Sequence, residues 1–192
     1  HMDVIRERIE REFNISLIAT APSVVYKVIK NNNEVLEIDA ASKLPDKTHY
    51  KEIQEPFVKA EIIVPDTYVG NVMELCQNYR GEYVDLQVID ITKKKLIYLI
   101  PLAEIMYSFF DKLKSCSKGY ATLDYELVDY RKQDLVKVDI LLNGNKIDAL
   151  STIMHRQFAP DRSRKVCLKL KEHMPKHQFE IPIQAAIGGK II

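Results

Sequence analysis

The strongest candidate for chemistry in this sequence is a basic segment that runs from His155 to His177. It holds seven Lys/Arg residues against two acidic ones, a net charge of +5, and no glycine. Ammonium and guanidinium groups bind phosphate through charge-assisted hydrogen bonds. We therefore predict RNA-phosphate binding, although a run of cations is also typical of a solvated helix face. The predicted RNA-binding residues are His155, Arg156, Arg162, Arg164, Lys165, Lys169, Lys171 and Lys176.

Aromatic side chains for stacking on bases are scarce around this basic segment. Only Phe158 and Phe179 lie within or beside it. Single-stranded RNA is usually held by stacking of its bases on aromatic rings. The scarcity of such rings favours recognition of RNA shape and contacts with phosphate over recognition of the base sequence.

One tetrapeptide suggests a nucleotide site. Asn145-Lys146-Ile147-Asp148 has the N-K-x-D form with which GTP-binding proteins recognise guanine. A working site also needs a glycine-rich phosphate loop, and the pattern G-x-x-x-x-G-K-[ST] occurs nowhere in the 192 residues. We interpret the tetrapeptide as a hairpin turn followed by a strand, and we predict no cofactor-binding residue in this chain.

Histidine and cysteine offer no catalytic or metal site. The histidines lack the H-E-x-x-H spacing, and a proline separates His173 from His177. We expect His155 to contact RNA phosphate or to cap a turn. Cys76 and Cys167 lie on predicted helix faces, where thiols are usually buried and inert. The three cysteines form no C-x-x-C pair, which argues against a disulfide framework or zinc ribbon and favours a reducing, cytosolic setting.

The central part of the chain has the most regular hydrophobic pattern. Between residues 57 and 130 the predicted order is β-α-β-β-α-β, that of the ferredoxin-like fold. The first helix is expected to begin at an Asp66 cap and to stop at Gly81. The second is expected to start near Pro101 and to end at Gly119. Its predicted apolar face consists of Leu102, Ile105, Met106, Phe109, Phe110 and Leu113.

The two flanking regions are less regular. Before the central part we predict a helix over 3–13, strands over 15–29 and a linker over 39–56, with a boundary near residue 52. After it, Asn143-Gly144 predicts a hairpin between strands 136–142 and 147–154, followed by a modest helix over 160–173 and a strand over 179–187 interrupted by Pro182. The fold class is therefore α+β. Both ends look cut, so we expect an interior piece of a longer protein.

Composition and net charge limit the class of protein to which this chain can belong. Apolar residues make up 46% and charged residues 29%, as in globular proteins. The 28 basic and 27 acidic residues give +1 overall. Since the basic segment carries +5, the remaining residues sum to −4, and near-neutrality does not exclude nucleic acid. No apolar run approaches the roughly 18 residues that span a bilayer.

Several segments resemble the LepA family of translation factors, also called elongation factor 4. They include Glu55-Pro56-Phe57-Val58-Lys59-Ala60, Arg80-Gly81-Glu82, Lys118-Gly119-Tyr120-Ala121 and the run from Phe179 to Gly188. The resemblance extends from residue 3 to 192. It implies a partial third-domain analogue and linker over 1–52, a ferredoxin-like domain of the elongation factor G fifth-domain type over 53–131, and a truncated LepA-type C-terminal domain over 132–192.

The resemblance also implies a function. The parent protein would be a GTP hydrolase that uses GTP and Mg in a site outside this chain, binds the ribosome and tRNA, and moves tRNAs backwards by one codon. The missing GTP-binding domain would be a further partner. We expect a monomeric fragment and a cytoplasmic protein, with peripheral association at the inner face of the cell membrane.

Two other classes of function stay open at this point. One is a protein-interaction module for ribosome assembly that makes no direct RNA contact. The other is a small enzyme with a cleft between domains, although the sequence offers no convergent set of titratable residues for one.

Overall fold

The computed structural model describes residues 24–173 and 181–192. By their contacts these residues form two compact units. Unit 1 contains residues 24–53, 132–173 and 181–192, and unit 2 contains residues 54–131. The predicted helix over 3–13 and the strand residues before Val24 lie outside the described ranges, as do Phe179 and Glu180.

The strands and helices are numbered in chain order. The strands are β1 (Tyr26–Lys30), β2 (Val35–Ile38), β3 (Tyr50–Pro65), β4 (Glu82–Val88), β5 (Lys93–Pro101), β6 (Thr122–Lys132), β7 (Leu135–Leu142), β8 (Asn145–Lys146), β9 (Thr152–His155), β10 (Ile183–Ile187) and β11 (Lys190–Ile191). The α-helices are α1 (Val69–Asn78), α2 (Leu102–Glu104), α3 (Phe110–Cys116) and α4 (Ala159–Glu172). Short 3-10 turns cover Ala41–Lys43, Lys47–His49, Asp66–Tyr68, Asp148–Leu150 and Arg156–Phe158.

Unit 2 has the predicted β-α-β-β-α-β order of elements. Its strands lie in the order β6-β3-β5-β4, and β5 is antiparallel to both β3 and β4. Alternate residues of β3, from Val58 to Val64, face the helices and are buried with Val72, Phe109 and Leu113. The α+β class is confirmed.

The second helical segment of unit 2 is interrupted by a wider turn. A π-helical turn over Ile105–Phe109 joins α2 to α3. Such a turn inserts an extra residue and changes the helical phase. Ile105, Phe109 and Leu113 are buried as predicted, but Phe110 is 48% exposed, so its assignment to the apolar face was wrong.

The predicted cap at the start of α1 was wrong. Asp66 lies in a 3-10 turn, and α1 begins after Tyr68 without a side-chain cap. The Asp66 carboxylate instead accepts a hydrogen bond from Lys94 Nζ at 2.7 Å. An ion pair across the sheet therefore replaces the expected local capping bond.

The end of α1 is a Schellman motif. Arg80 N–H donates to the Gln77 carbonyl at 3.2 Å, and Gly81 N–H donates to the Cys76 carbonyl at 2.7 Å. The residue in the left-handed region is Arg80, with φ of 60°. Gly81 is needed for a different reason, because a Cβ there would lie 2.6 Å from the Cys76 carbonyl oxygen.

Replacing Gly81 with alanine should therefore destabilise unit 2 by about 1–3 kcal/mol, because the new methyl group clashes with backbone. Gly70→Ala in α1 is the matched control, since a Cβ at that position would point into open space. That control should be neutral or stabilise by up to about 1 kcal/mol. Urea denaturation followed by circular dichroism measures both, and equal stability of the two variants would refute the explanation.

Unit 1 is built on a sheet in the order β11-β10-β7-β8, in which β9 also pairs with β7. Asn143 and Gly144 both have positive φ, 52° and 79°, as a two-residue type I′ hairpin requires, which confirms that prediction. The return strand is shorter than predicted. It is broken by the 3-10 turn Asp148–Leu150, whose Leu150 is buried in the core of this unit.

The predicted linker over 39–56 was wrong at its C-terminal end, because β3 begins at Tyr50. Residues 55 to 58 are all buried, so this stretch lacks the alternation that identifies a strand.

The strand β2 was not predicted from the sequence. A small core of Tyr26, Val28, Ile38, Ile53 and Leu135 joins the two chain segments of unit 1. The division into domains 1–52, 53–131 and 132–192 of a longer protein stays a prediction.

Candidate nucleic-acid interface

Helix α4 carries most of the predicted RNA-binding residues. It begins after Phe158, has Pro160 in its first turn and packs on β7 and β10. Ala159, Ser163 and Leu170 are buried on its inner face. The helix over 160–173 is thus confirmed, and its Leu168 is 55% exposed.

The α4 cations divide into two groups on either side of the helix. At about 100° per residue, Arg162, Lys165 and Lys169 fall on one side, and Arg164 and Lys171 fall on the other. We call these the three-cation flank and the two-cation flank. Asp161, Leu168 and Glu172 form the outward stripe between them. The structure therefore does not bring all the predicted residues to one surface.

Most cations of α4 are free to meet an external anion. Within residues 24–173 and 181–192, no carboxylate forms an ion pair with Arg164, Lys165, Lys169 or Lys171, and all four are exposed. Arg162 is half-buried, and its guanidinium lies 4.0 Å from the centroid of the Phe158 ring. A cation held over an aromatic ring keeps its charge while its position is restricted.

His155 and Arg156 have local partners just before α4. His155 Nδ1 accepts a hydrogen bond from Gln157 N–H at 3.1 Å and so caps the 3-10 turn that leads into the helix. Arg156 Nε donates to the Asp134 carboxylate at 3.0 Å. Both residues therefore serve local structure, and the charge of Arg156 is balanced. Lys176 lies outside the described residues.

Sequence reasoning missed a second group of cations in unit 1. Lys47, Lys137, Lys146 and Lys190 come from four separate segments and line one cleft together with Arg156. No local pattern identifies such a group, because its members are neighbours only in the folded chain. The one signal was the alternation of β7, which places Lys137 and Asp139 opposite its apolar face.

The remaining candidate sites have structural roles. Burial raises the pKa of the Cys76 thiol to about 12, and it also raises the pKa of Cys116 and Cys167. These thiols are poor nucleophiles. In the tetrapeptide that matches N-K-x-D, Asn145 and Lys146 form β8 directly after the hairpin turn and Ile147 is buried, so the strand is only two residues long.

The described part of the chain contains neither a metal-binding cluster nor a membrane-spanning helix. Within it, no group of three or more His, Cys, Asp or Glu residues is placed to hold a metal ion. None of its helices is long and apolar enough to cross a membrane.

Comparison with protein families and known proteins shows what this chain is related to. A family model described as elongation factor G C-terminus matches residues 52–141, and one described as GTP-binding protein LepA C-terminus matches residues 142–192. All 192 residues also align, at 83% identity, with elongation factor 4 of Malacoplasma penetrans. The chain belongs to the LepA family. Other LepA relatives include elongation factor 4 of Ureaplasma urealyticum at 65% identity and of Mycoplasmoides gallisepticum at 58%.

The chain spans about a third of the length of these LepA relatives. Each alignment covers 100% of this chain and 32% of the relative. The resemblance inferred from the sequence motifs is therefore confirmed, and the chain corresponds to a fragment of such proteins.

Two of the LepA motifs meet in the core of unit 2. Arg80 donates from Nη1 and Nη2 to the two carboxylate oxygens of Glu55, at 2.9 and 3.1 Å, and from Nη2 to Glu104 at 3.2 Å. All three side chains are at least nine-tenths buried. Burial raises the pKa of Glu55, although Arg80 opposes that shift. We define these residues as the Arg80 triad, which links β3, the end of α1 and α2.

Proposed function

We propose that this chain is the ribosome- and tRNA-binding C-terminal part of a LepA-type translational GTPase. The observation that carries the proposal is a set of four exposed α4 cations, Arg164, Lys165, Lys169 and Lys171, which form no ion pair within residues 24–173 and 181–192. Phosphate backbones attract such groups and release counterions on binding. Arg164, Lys165, Lys169 and Lys171 meet RNA phosphates, while Arg162 contributes from its position over Phe158.

The whole protein, on this proposal, hydrolyses GTP with Mg in a site outside this chain. It acts on the ribosome and moves tRNAs back by one codon, and its GTP-binding domain is a partner of the present units. Unit 2 is a ferredoxin-like domain of the elongation factor G fifth-domain type. A partial third-domain analogue and a LepA-specific C-terminal domain flank it. The family-model matches support a translation-factor assignment for residues 52–192, and the similarity to elongation factor 4 supports it for the chain as a whole.

On the same proposal, the fragment acts in the cytoplasm and is monomeric when free. Peripheral association with a membrane has no support in the described residues and stays a prediction.

The alternative is a module that binds only ribosomal proteins. Chemical probing of ribosomes with and without the chain separates the two. RNA binding predicts protection of particular rRNA or tRNA nucleotides, and that protection should weaken in the variant Arg164→Glu/Lys171→Glu. The control Lys43→Glu/Lys51→Glu removes the same charge from unit 1 at positions outside α4 and should keep the protection. Binding to ribosomes without any nucleotide protection would favour the alternative.

A further inference from the structure

Unit 1 contains a cleft that no part of the proposed function uses. Its volume is about 720 Å³, and all the residues that line it belong to unit 1. This volume lies in the range of small-molecule sites, about 300–1,000 Å³. The cleft is open to solvent on the side of the Lys47–His49 turn, where Asp46 and Lys47 are exposed.

The cleft has a surplus of positive charge. Five cationic side chains line it: Lys47, Lys137, Lys146, Arg156 and Lys190. The acidic side chains in or beside it are Asp46, Asp139 and Asp134, so the side chains sum to +2, and the terminal carboxylate of Ile192 in the 192-residue chain lowers this to +1. Such a surplus in a concave site concentrates anions.

The acidic groups are already engaged. Asp139 is buried, accepts a hydrogen bond from Ser151 Oγ at 2.9 Å, and lies 3.6 Å from both Lys137 Nζ and Lys146 Nζ. Two ammonium groups thus share one carboxylate. Asp46 accepts from the backbone N–H and hydroxyl of Thr48 at 3.0 and 2.8 Å.

Two lysines of the cleft have no such partner. Within residues 24–173 and 181–192, Lys47 and Lys190 form no ion pair, and both are exposed. They are therefore the cations best placed to bind an anion that enters from solvent. Because they are exposed, they can also be replaced with little effect on stability.

An apolar wall lies beside these cations. It consists of Leu44, Pro45, Tyr50 and Ile187. The Tyr50 phenol is neutral at pH 7, since its ordinary pKa is 10.0 and burial raises it further, so the ring does not repel an anion. Cations next to an aromatic ring and a proline suit a ligand that combines an anionic group with a flat apolar one.

We propose that this cleft binds a nucleotide unit, with its phosphate among Lys47, Lys146 and Lys190 and its base against Tyr50 and Pro45. The nucleotide is either free or part of an RNA strand. This site is separate from the α4 flanks, so the proposal does not rest on their role in RNA binding.

The test is a titration of the 192-residue chain with three probes: AMP, a short adenine oligoribonucleotide and inorganic pyrophosphate. Binding is followed by calorimetry and by NMR shifts of Lys190 and Tyr50 amides. Saturable binding of AMP supports the proposal and indicates that the ligand is a free nucleotide. Binding of the oligonucleotide but not of AMP supports the proposal and indicates that the ligand is part of an RNA strand. No saturable binding of either overturns the proposal, and so does pyrophosphate binding as tight as that of AMP, because the apolar wall would then contribute nothing.

Two double variants decide where the probe binds. Lys47→Gln/Lys190→Gln should weaken binding of the productive probe by about 100-fold, since each lost charge-assisted hydrogen bond to the phosphate costs about tenfold in affinity. The matched control Lys165→Gln/Lys169→Gln removes the same charge from α4 and should leave AMP affinity unchanged. Equal effects of the two variants on AMP overturn the cleft assignment. Loss of RNA binding in the α4 variant alone reports on the proposed function and not on the cleft.

Discussion

Replacing Arg80 with methionine should lower the free energy of unfolding of unit 2 by about 3–5 kcal/mol, the loss typical when one partner of a buried ion pair is removed. The change leaves two carboxylates, Glu55 and Glu104, buried without a cation. The variant still has a residue other than glycine at position 80, where the backbone φ of 60° lies in the left-handed region. Urea denaturation of the 192-residue chain, followed by circular dichroism because the sequence has no tryptophan, measures the loss.

A second variant separates charge from packing. In Arg80→Met/Glu55→Gln the cation and one carboxylate are both absent, so much of the lost stability should return. Arg80→Leu/Glu55→Leu tests the same point with apolar side chains. A loss of under about 1 kcal/mol in Arg80→Met would show that the triad does not hold unit 2 together.

The deficit of Arg80→Met should depend on pH. Burial raises the pKa of Glu55 above its ordinary value of 4.5, and Arg80 is the group that opposes this shift. Without Arg80 the folded-state pKa rises further, so the folded variant holds a proton that its unfolded state releases. Stability then falls as pH rises from 4.5 towards the folded-state pKa. The deficit should thus be smaller at pH 5 than at pH 8, and a deficit that grows on acidification would contradict this account.

Reversing two charges of the three-cation flank should weaken RNA binding by roughly 10- to 100-fold at low salt, as expected when two phosphate contacts become repulsive. The variant is Lys165→Glu/Lys169→Glu. Both side chains are exposed, one helical turn apart, and free of ion pairs within the described residues. The fold should therefore survive, and fluorescence anisotropy with a labelled RNA hairpin measures the affinity.

The two-cation flank provides the comparison. Arg164→Glu/Lys171→Glu changes the net charge equally, on the other side of α4. If RNA contacts one side of the helix, one double variant should have a much larger effect than the other. The control Lys43→Glu/Lys51→Glu should change affinity by less than about threefold, the scale of a long-range charge effect. Equal, small effects of all three variants would mean that α4 is a solvated helix face.

Strong local patterns predicted most of unit 2. The alternation along β3 from Val58 to Val64 and the burial of Ile105, Phe109 and Leu113 in the second helical segment are confirmed, because burial there follows simple periods. Prediction failed where tertiary contacts replaced local ones. Asp66 pairs with Lys94 across the sheet instead of capping α1, and Phe110 is displaced from the core by the π-helical turn.

The candidate sites were predicted less completely than the fold. The cations of α4 are close together in sequence, so their density was visible, but the division into two flanks needed the helical phase. Glu55 was placed in a linker because nothing local marks it as the partner of Arg80. The cleft cations were invisible for the same reason, since β7, β8, β11 and the Lys47–His49 turn meet only in the folded unit.

The salt dependence of RNA binding tests the central claim most directly. We expect the logarithm of the association constant of the 192-residue chain for an RNA hairpin to fall linearly with the logarithm of salt concentration. In Lys165→Gln/Lys169→Gln the magnitude of the slope should decrease by about 1–2, since each phosphate contact contributes about 0.7–0.9. An identical slope and affinity for the chain and this variant would contradict the assignment of α4 as the RNA-binding element.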